Sequence, residues 1–390
     1  MRRKIGLYLG AGSESGGMFQ YGQCMLEAVS ALPRDKFEVL VAYSSKQWSP
    51  YLGNRDIETD YFHRSFFDLA TASAWRRSGL PVSSWRRLAK AMHPLSRKLI
   101  ETACELWIFP FQDTWSYRVP VRALAAIHDL MHRYEPRFPE VSAKGQFRYR
   151  EAHYRNICRW STAVLVDSTV GKEQVHESYG LDPARIHVLP FAPPKYIYAK
   201  DTPPDFDEIY RLPPKFAFYP ARFWAHKNHL ALVRGAKTVV ETAPDFKLVF
   251  VGSKKNGYDA VKGLVRELGL TESVIFLGHV PDNHMPELYR RARCMVMPTF
   301  FGPTNIPPLE AFATGCPAAV SNIYGMPEQI GDAALFFDPV SDAEISGALL
   351  RLWTDDALCE ELSARGLTRL AQRDQDCFNQ RLLFILRGLA

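Results

Sequence analysis

The sequence predicts two doubly wound α/β domains in tandem, and its length, its rhythm of apolar runs and a proline-rich break predict them. At 390 residues the chain exceeds one ordinary domain, and 47% hydrophobic with 23% charged residues is the composition of a folded globular protein. Short, nearly continuous apolar runs alternate with helical stretches, the pattern of parallel strands covered on both faces. From Leu189 to Pro214 the segment LPFAPPKYIYAKDTPPDFDEIYRLPP carries seven prolines and no sustained apolar period, as an interdomain connector does.

The front runs are IGLYL (5–9), FEVLVAY (37–43), ALAAI (123–127) and AVLVD (163–167). Behind the connector come FAFYPA (216–221), KLVFVG (247–252), VIFLG (274–278) and CMVMP (294–298). Each is short and nearly continuously apolar, so each reads as a strand. The boundary falls near residue 205, giving one domain over 1–205, a second over 206–370 and a helical tail over 371–390. No short repeat or low-complexity tract interrupts them.

The excess positive charge lies in front: residues 1–205 hold 28 Lys/Arg against 21 Asp/Glu, and residues 206–390 hold 20 against 21. It gathers between Trp75 and Lys98, where Arg76, Arg77, Arg86, Arg87, Lys90, Arg97 and Lys98 occur without an acid. Basic side chains beside an anionic leaflet contribute roughly 1 kcal/mol each, and tryptophan favours the interface. Residues 75–98 are therefore a candidate for docking on an anionic membrane, with a solvated basic face as the equal alternative. No RNA-binding motif accompanies the charge, so nucleic acid is not expected as a partner. No apolar run approaches a membrane span, and Ile5–Leu9 is too short for a signal sequence. The seven scattered cysteines form no C-x-x-C pair. A cytoplasmic protein with reduced thiols is expected, peripheral at most on the inner face of the cytoplasmic membrane.

In such sheets ligands bind beyond the carboxyl ends of the strands, which singles out the residues just after each run. GAGSESGG (10–17) follows the first strand, and Gly10, Gly12, Gly16 and Gly17 let backbone amides approach a phosphate at a helix start. Ser15 stands where G-x-G-x-x-G needs glycine, so a plain tight turn accounts for the glycines as well. His128 follows ALAAI; it can polarise a substrate oxygen or bond a sugar hydroxyl, or be a structural histidine satisfied by backbone. Ser168, after AVLVD, reads as a helix N-cap. In ARFWAHKNH (221–229), Arg222 and Lys227 precede a helix, where two cations and free amides can neutralise a diphosphate. In FFGPTNIPPLEAFATGCP (300–317), Thr304 or Asn305 is expected to cap a helix whose first turn holds Pro307, Pro308 and Glu310. A carboxylate there gains roughly 0.3–1 kcal/mol from the helix dipole and can accept both hydroxyls of a ribose.

From Tyr219 to Pro339, the motifs YPARFWAHKNH, VPDNHMPELYRRA, FFGPTNIPPLEAFATGCP and MPEQIGDAALFFDP resemble, in order and spacing, the nucleotide-binding domain of retaining glycosyltransferases of the family-4 type. The front half is similar more loosely, through Gly16-Gly17, IHDL (127–130) followed by EPRFP, and VDSTVGKEQV. The resemblance implies the GT-B fold: two Rossmann-like domains facing a cleft, the first binding acceptor, the second binding nucleotide-sugar, and the tail returning to the first. It assigns donor binding to Gly16, Gly17, Arg222, Lys227, Gly252, Thr304, Asn305, Ile306 and Glu310, with His128, Arg222 and Lys227 catalytic. Glu328 matches a further characteristic acid with a structural role. Gly302 stands where the family's E-x7-E pattern places its first carboxylate, which contacts the transferred sugar, so Thr304, Asn305 and backbone amides are expected to take over part of that contact.

The implied reaction is transfer of a sugar from a nucleoside diphosphate to an acceptor hydroxyl, with retention at the anomeric carbon and no metal or cofactor. The two Asp-x-Asp patterns, at 205–207 and 374–376, lie in the connector and in the tail, out of place for a cation site. A lipid-linked or growing bacterial surface glycan is the expected acceptor. The alternatives are a catalytically silent nucleotide-sugar-binding relative, suggested by Gly302, a nicotinamide-dependent oxidoreductase using the glycine loop, and a pyridoxal-dependent sugar phosphorylase.

Overall fold

Strands buried on both faces need helices above and below them, and a parallel arrangement supplies the crossovers that put helices there. The computed structural model describes residues 2–53, 55–62, 70, 71, 75 and 79–389. In the first unit, strands β1 (Arg3–Leu9), β2 (Phe37–Tyr43), β3 (Glu58–Tyr61), β4 (Leu106–Phe109), β5 (Ala123–Ala126), β6 (Ala163–Val166) and β7 (Ile186–Val188) form one sheet in the order β3-β2-β1-β4-β5-β6-β7. Every pairing is parallel. The second unit repeats the plan with β8 (Ala217–Pro220), β9 (Leu248–Val251), β10 (Val274–Gly278), β11 (Cys294–Met297), β12 (Ala318–Ser321) and β13 (Leu335–Phe337), in the order β10-β9-β8-β11-β12-β13. All of its pairings are parallel too. Each order reverses direction once, between β1 and β4 and between β8 and β11, which creates a switch point in each sheet.

All eight expected strands are present. β7 and β13 have three residues, too few to show a period, and β3 (ETDY) is largely polar, whereas β4 (LWIF) and β12 (AAVS) are buried four-residue strands like several of those expected. Gly6 on β1 has a packing reason: a Cβ there would sit 2.4 Å from the Trp107 ring of β4.

The first unit comprises Met1–Leu130, Tyr149–Pro190 and Gln375–Ala390; the second comprises Met131–Arg148 and Phe191–Asp374. Three sequence boundaries shift accordingly, the smallest being the tail, which begins at Gln375 and not at 371. The connector joins the second unit from Phe191 onward because Ile197 and Phe206 are buried in that unit's core. Residues 131–148, expected in front, belong to the second unit because Phe138 and Val141 cluster with Phe301. Proline content marks irregular backbone but carries no information on which core it lies against. In the first unit the C-terminal helix Gln375–Gly388 packs on the helix Gly17–Ser30. The Gln375 amide donates to the Cys24 carbonyl (2.9 Å), and Phe378 meets Tyr21 edge-on at 5.7 Å.

Candidate functional site

The switch point of the second unit brings together the loop after β8 (221–228) and the loop after β11 (298–306), the two segments that hold half of the expected site residues. Phe300 N and Thr299 Oγ1 both donate to the His226 carbonyl, at 2.8 and 3.3 Å. Lys227 Nζ donates to Asn305 Oδ1 at 3.2 Å. Gly252, at the end of β9, lets the first loop lie close: a Cβ there would be 2.1 Å from the Ala221 carbonyl oxygen and 2.8 Å from Arg222 N. Beneath the loop His229 stacks on Phe223 (4.3 Å between centroids); burial depresses its pKa to about 3, keeping the ring neutral. A cavity of about 300 Å³ opens beside this loop, lined by Phe223, Gly252, Ser253, Tyr258 and Phe276 among others.

Five successive amides of this loop are bonded. Phe223 N donates to Ser253 O, Trp224 N to Arg222 O, Ala225 N to Asn256 Oδ1, His226 N to Glu140 Oε1 and Lys227 N to Trp224 O. The loop is a short 3-10 turn whose donors are consumed by its own closure and by two side chains. The positive potential here comes from the Arg222 and Lys227 side chains and from the start of the helix His229–Thr242, which no side chain caps.

In the second loop, Gly302 adopts φ +153°, and a Cβ there would lie 2.2 Å from Asn305 Nδ2. The Asn305 side chain thus fills the volume that a side chain at 302 would enter. Gln329, 1% exposed, grips the Asn305 main chain from both ends of its amide: Oε1 accepts from Asn305 N at 2.9 Å and Nε2 donates to Asn305 O at 2.6 Å. The Asn305 backbone amide, one of the donors the resemblance led to expect at the sugar, is thus already bonded. Thr304 is buried. Ile306 is the N-cap of the helix Pro307–Ala313, and no side chain caps it. Neither Thr304 nor Asn305 does so, because Asn305 is turned towards Lys227.

Glu310 does lie in that helix's first turn, but buried at 3% exposure and already bonded. The Tyr196 hydroxyl donates to Oε1 and the Tyr289 hydroxyl to Oε2 at 2.6 Å. Burial raises its pKa, and the two tyrosine hydrogen bonds offset part of that rise. Glu328 presents its main-chain carbonyl to Arg369 and, at 2.8 Å, to Arg373.

In the first unit, Gly16 turns the chain with φ +61° and ψ −124°, a conformation open essentially to glycine alone, and Gly17 begins the helix Gly17–Ser30. Ser13 N donates to Gln47 Oε1 at 2.6 Å, and Ser15 N and Gly16 N close the turn on Gly12 and Ser13 carbonyls. His128 follows β5: its Nε2 donates to the Pro110 carbonyl at 2.8 Å, its ring meets Tyr21 edge-on at 4.7 Å, and burial lowers its pKa. In that neutral ring Nδ1 is the accepting nitrogen. Asp129 is ion-paired with Arg150. Ser168 caps the helix Thr169–Tyr179, accepting from Gly171 N at 3.0 Å, as the sequence suggests.

The basic segment divides. Arg76 and Arg77 lie outside the described residues. Trp85 is 1% exposed, and Arg86 is turned inward, donating to the Tyr117 and Val119 carbonyls at 3.0 and 2.7 Å. Lys98 is paired with Asp60. Arg87, Lys90 and Arg97 remain exposed, with Leu88 and Met92 beside them on the helix Val82–Met92. Among the described residues no helix is long and apolar enough to cross a membrane.

Sequence reasoning missed Tyr196, Tyr289, Gln329 and Glu140. Gln329 is adjacent to Glu328 in a quoted motif, and Glu140 directly follows EPRFP, but nothing in spacing alone marks a side chain that serves another's backbone.

Residues 205–369 match the family model described as Glycosyl transferases group 1. O-antigen chain mannosyltransferase B of Escherichia coli is 35% identical over 159 residues, 40% of this chain and 42% of that one. O-antigen chain mannosyltransferase RfbU of Salmonella typhimurium is 26% identical over 223 residues, 57% and 58% of the two chains. The chain spans about half the length of these curated relatives. HepE of Anabaena, solved in complex with UDP and glucose, superposes with a TM-score of 0.72 at 17% identity, covering 99% of this chain and all of that one. The fold is GT-B, and residues 205–369 carry a glycosyl transferases group 1 domain.

Proposed function

We propose that the chain is a retaining, metal-independent glycosyltransferase that moves a hexosyl or deoxyhexosyl group from a nucleoside-diphosphate sugar to an acceptor hydroxyl. The observation that carries this reading is the Lys227–Asn305 hydrogen bond at 3.2 Å, which ties the β8 loop to the β11 loop at the switch point of the matched domain. There the Arg222 and Lys227 side chains stabilise charge developing on the departing diphosphate. The sugar–phosphate bond breaks, the acceptor oxygen bonds to the anomeric carbon on the same face, and the diphosphate takes the acceptor proton. Glu310, fixed by two tyrosines, keeps a lone pair on each oxygen for ribose hydroxyls. The cavity beside Phe223 and Tyr258 suits a base, and Thr304, Asn305 and Ile306 face the donor. From the resemblance, Gly16 and Gly17 of the first unit are assigned to donor-phosphate binding and His128 to the donor sugar.

The O-antigen relatives support a lipid-linked or growing bacterial surface glycan as acceptor, handled at the inner face of the cytoplasmic membrane. Exposed Arg87, Lys90 and Arg97 with Leu88 and Met92 form the membrane-facing surface. Charge removal at Arg87 and Lys90 is expected to weaken binding to anionic liposomes, and unchanged binding refutes that surface.

Melting curves with nucleoside diphosphates and their sugars test the central reading, since a ligand at a hundred times its Kd stabilises by about 2.7 kcal/mol. No shift with any nucleotide overturns it. Gly302 favours one rival, a silent relative that binds donor without turning it over; a melting shift without donor consumption selects that rival. Lys227→Ala is expected to lower turnover roughly a hundredfold.

A further inference from the structure

We infer that Glu140, which lies outside residues 205–369, is a positioning residue of the diphosphate loop; this rests on the nucleotide reading above. The helix Pro139–Ser142 presents a carboxylate that is 7% exposed to the 3-10 turn Ala225–Lys227. Glu140 Oε1 accepts twice from one residue, from the His226 ring Nδ1 at 2.6 Å and from His226 N at 3.1 Å. Oε2 accepts from Asn256 Nδ2 at 2.9 Å, and Asn256 Oδ1 accepts from Ala225 N at 3.0 Å. One carboxylate and one amide therefore hold two consecutive backbone amides immediately before Lys227.

The same turn transmits the restraint to the second loop, because the His226 carbonyl receives Phe300 N and Thr299 Oγ1. Phe138, two residues before Glu140, stacks on Phe300 at 5.5 Å and 30°, and the Arg137 guanidinium lies over both rings at 4.9 and 4.6 Å. The segment 131–148 thus braces both strand-end loops from one side. Burial opposes ionisation of Glu140, yet the His226, Asn256 and backbone donors outweigh it and hold the carboxyl down at about 2. It is an anion throughout the physiological range and satisfies donors that a phosphate would otherwise compete for. Lys227 and Arg222 are left as the groups that meet the ligand, and Glu140 fixes where their backbone runs.

The chemistry fits a carboxylate and not an amide. In Glu140→Gln the oxygen can still accept both His226 donors, but the new NH₂ faces the Asn256 NH₂, and flipping Asn256 would release Ala225 N. Glu140→Ala removes both arms.

The test uses the full chain with wild type, Glu140→Gln, Glu140→Ala and Asn256→Ala. Two measurements are made below the melting transition: affinity for UDP and GDP by calorimetry, and amide hydrogen exchange over 222–228 and 299–301 without ligand. The expected outcome is faster exchange in both segments and about tenfold weaker nucleotide binding for Glu140→Ala, with Glu140→Gln and Asn256→Ala intermediate. A merely structural contact would lower the melting temperature while leaving affinity and exchange in these loops at wild-type values, and that result overturns the proposal. If wild type binds no nucleoside diphosphate, in this assay or in the melting screen, the functional reading falls separately, and the exchange pattern alone still decides whether Glu140 positions the loop. Should Glu140→Ala fail to fold, Asn256→Ala carries the same comparison on its own arm.

Discussion

Replacing Gly302 with alanine tests why position 302 takes glycine in this structure. The added Cβ would lie 2.2 Å from Asn305 Nδ2 and 2.9 Å from its Cγ, far inside the roughly 3.5–4.0 Å of favourable contact. Overpacking of this kind costs about 1–3 kcal/mol. The backbone adds its own penalty, because φ +153° is a region where non-glycine residues are strained by about 1–3 kcal/mol. Together these predict a loss of about 2–6 kcal/mol, and since 1 kcal/mol moves the melting point of a domain this size by about 2–4 °C, a fall of at least about 4 °C. Calorimetric melting of the purified chain measures it. A Gly302→Ala, Asn305→Gly double variant should recover the packing share and retain the backbone share, a non-additivity the cycle reads directly. Gly302→Glu should behave worse and also weaken nucleoside diphosphate binding, because Asn305 must leave Lys227 to make room. Gly302→Ala melting within about 1 °C of wild type would falsify the steric argument.

Gly252→Ala should cut nucleoside diphosphate affinity about tenfold, as its Cβ would press on the Ala221 carbonyl and Arg222 N, which are backbone and cannot swing aside; calorimetry with UDP and GDP checks it. Glu310→Gln should weaken nucleotides while sparing inorganic pyrophosphate, which has no ribose, and should cost about 1–3 kcal/mol of stability, since an amide cannot accept from both tyrosines. Equal losses for both ligands would show that Glu310 acts on the loop and not on ribose. The pH dependence follows from Glu140. Its pKa is lowered on folding from the usual 4.5 to about 2, so its stabilisation is fully present above about pH 4.5 and is lost as pH falls towards 2. The melting difference between wild type and Glu140→Gln should therefore be constant at neutral pH and shrink between about pH 4.5 and 2. A constant difference across that window contradicts the pairing.

Much of the architecture was legible because parallel strands buried on both faces leave a continuous apolar signature. FEVLVAY and KLVFVG cannot be solvated on either side, and the loops that follow them must lie at the carboxyl edge of a sheet. The switch-point arrangement of β8 and β11 then places ARFWAHKNH and FFGPTNIPPLE side by side without further information. What periodicity could not supply was the allegiance of segments with little apolar rhythm. Residues 131–148 precede the first unit's β6 in the chain yet belong to the second unit, because Phe138, Val141 and one ionised carboxylate find their partners there. Such a placement depends on three or four contacts and not on a repeating pattern.

At the site, residue type was legible but availability was not. A loop before a helix suggests free amides, yet donors in a tight turn are the ones most readily satisfied by the turn itself and by side chains from elsewhere in the chain. Ala225 N and His226 N are committed to Asn256 and Glu140, and Asn305 N to Gln329. The same holds for acceptors: Glu310 was expected to wait for a diol, and Tyr196 and Tyr289 already bond it. These commitments place the loop and the carboxylate before any ligand arrives, so binding need not supply the entropy of ordering them. The Gly302–Asn305 pair extends that logic. A side chain has no room at 302 while Asn305 stands there, and Gln329 holds the Asn305 backbone and Lys227 its side chain. On the proposed reading, a substitution at 302 alone therefore acts first on the fold, through Asn305, before it can act on a donor.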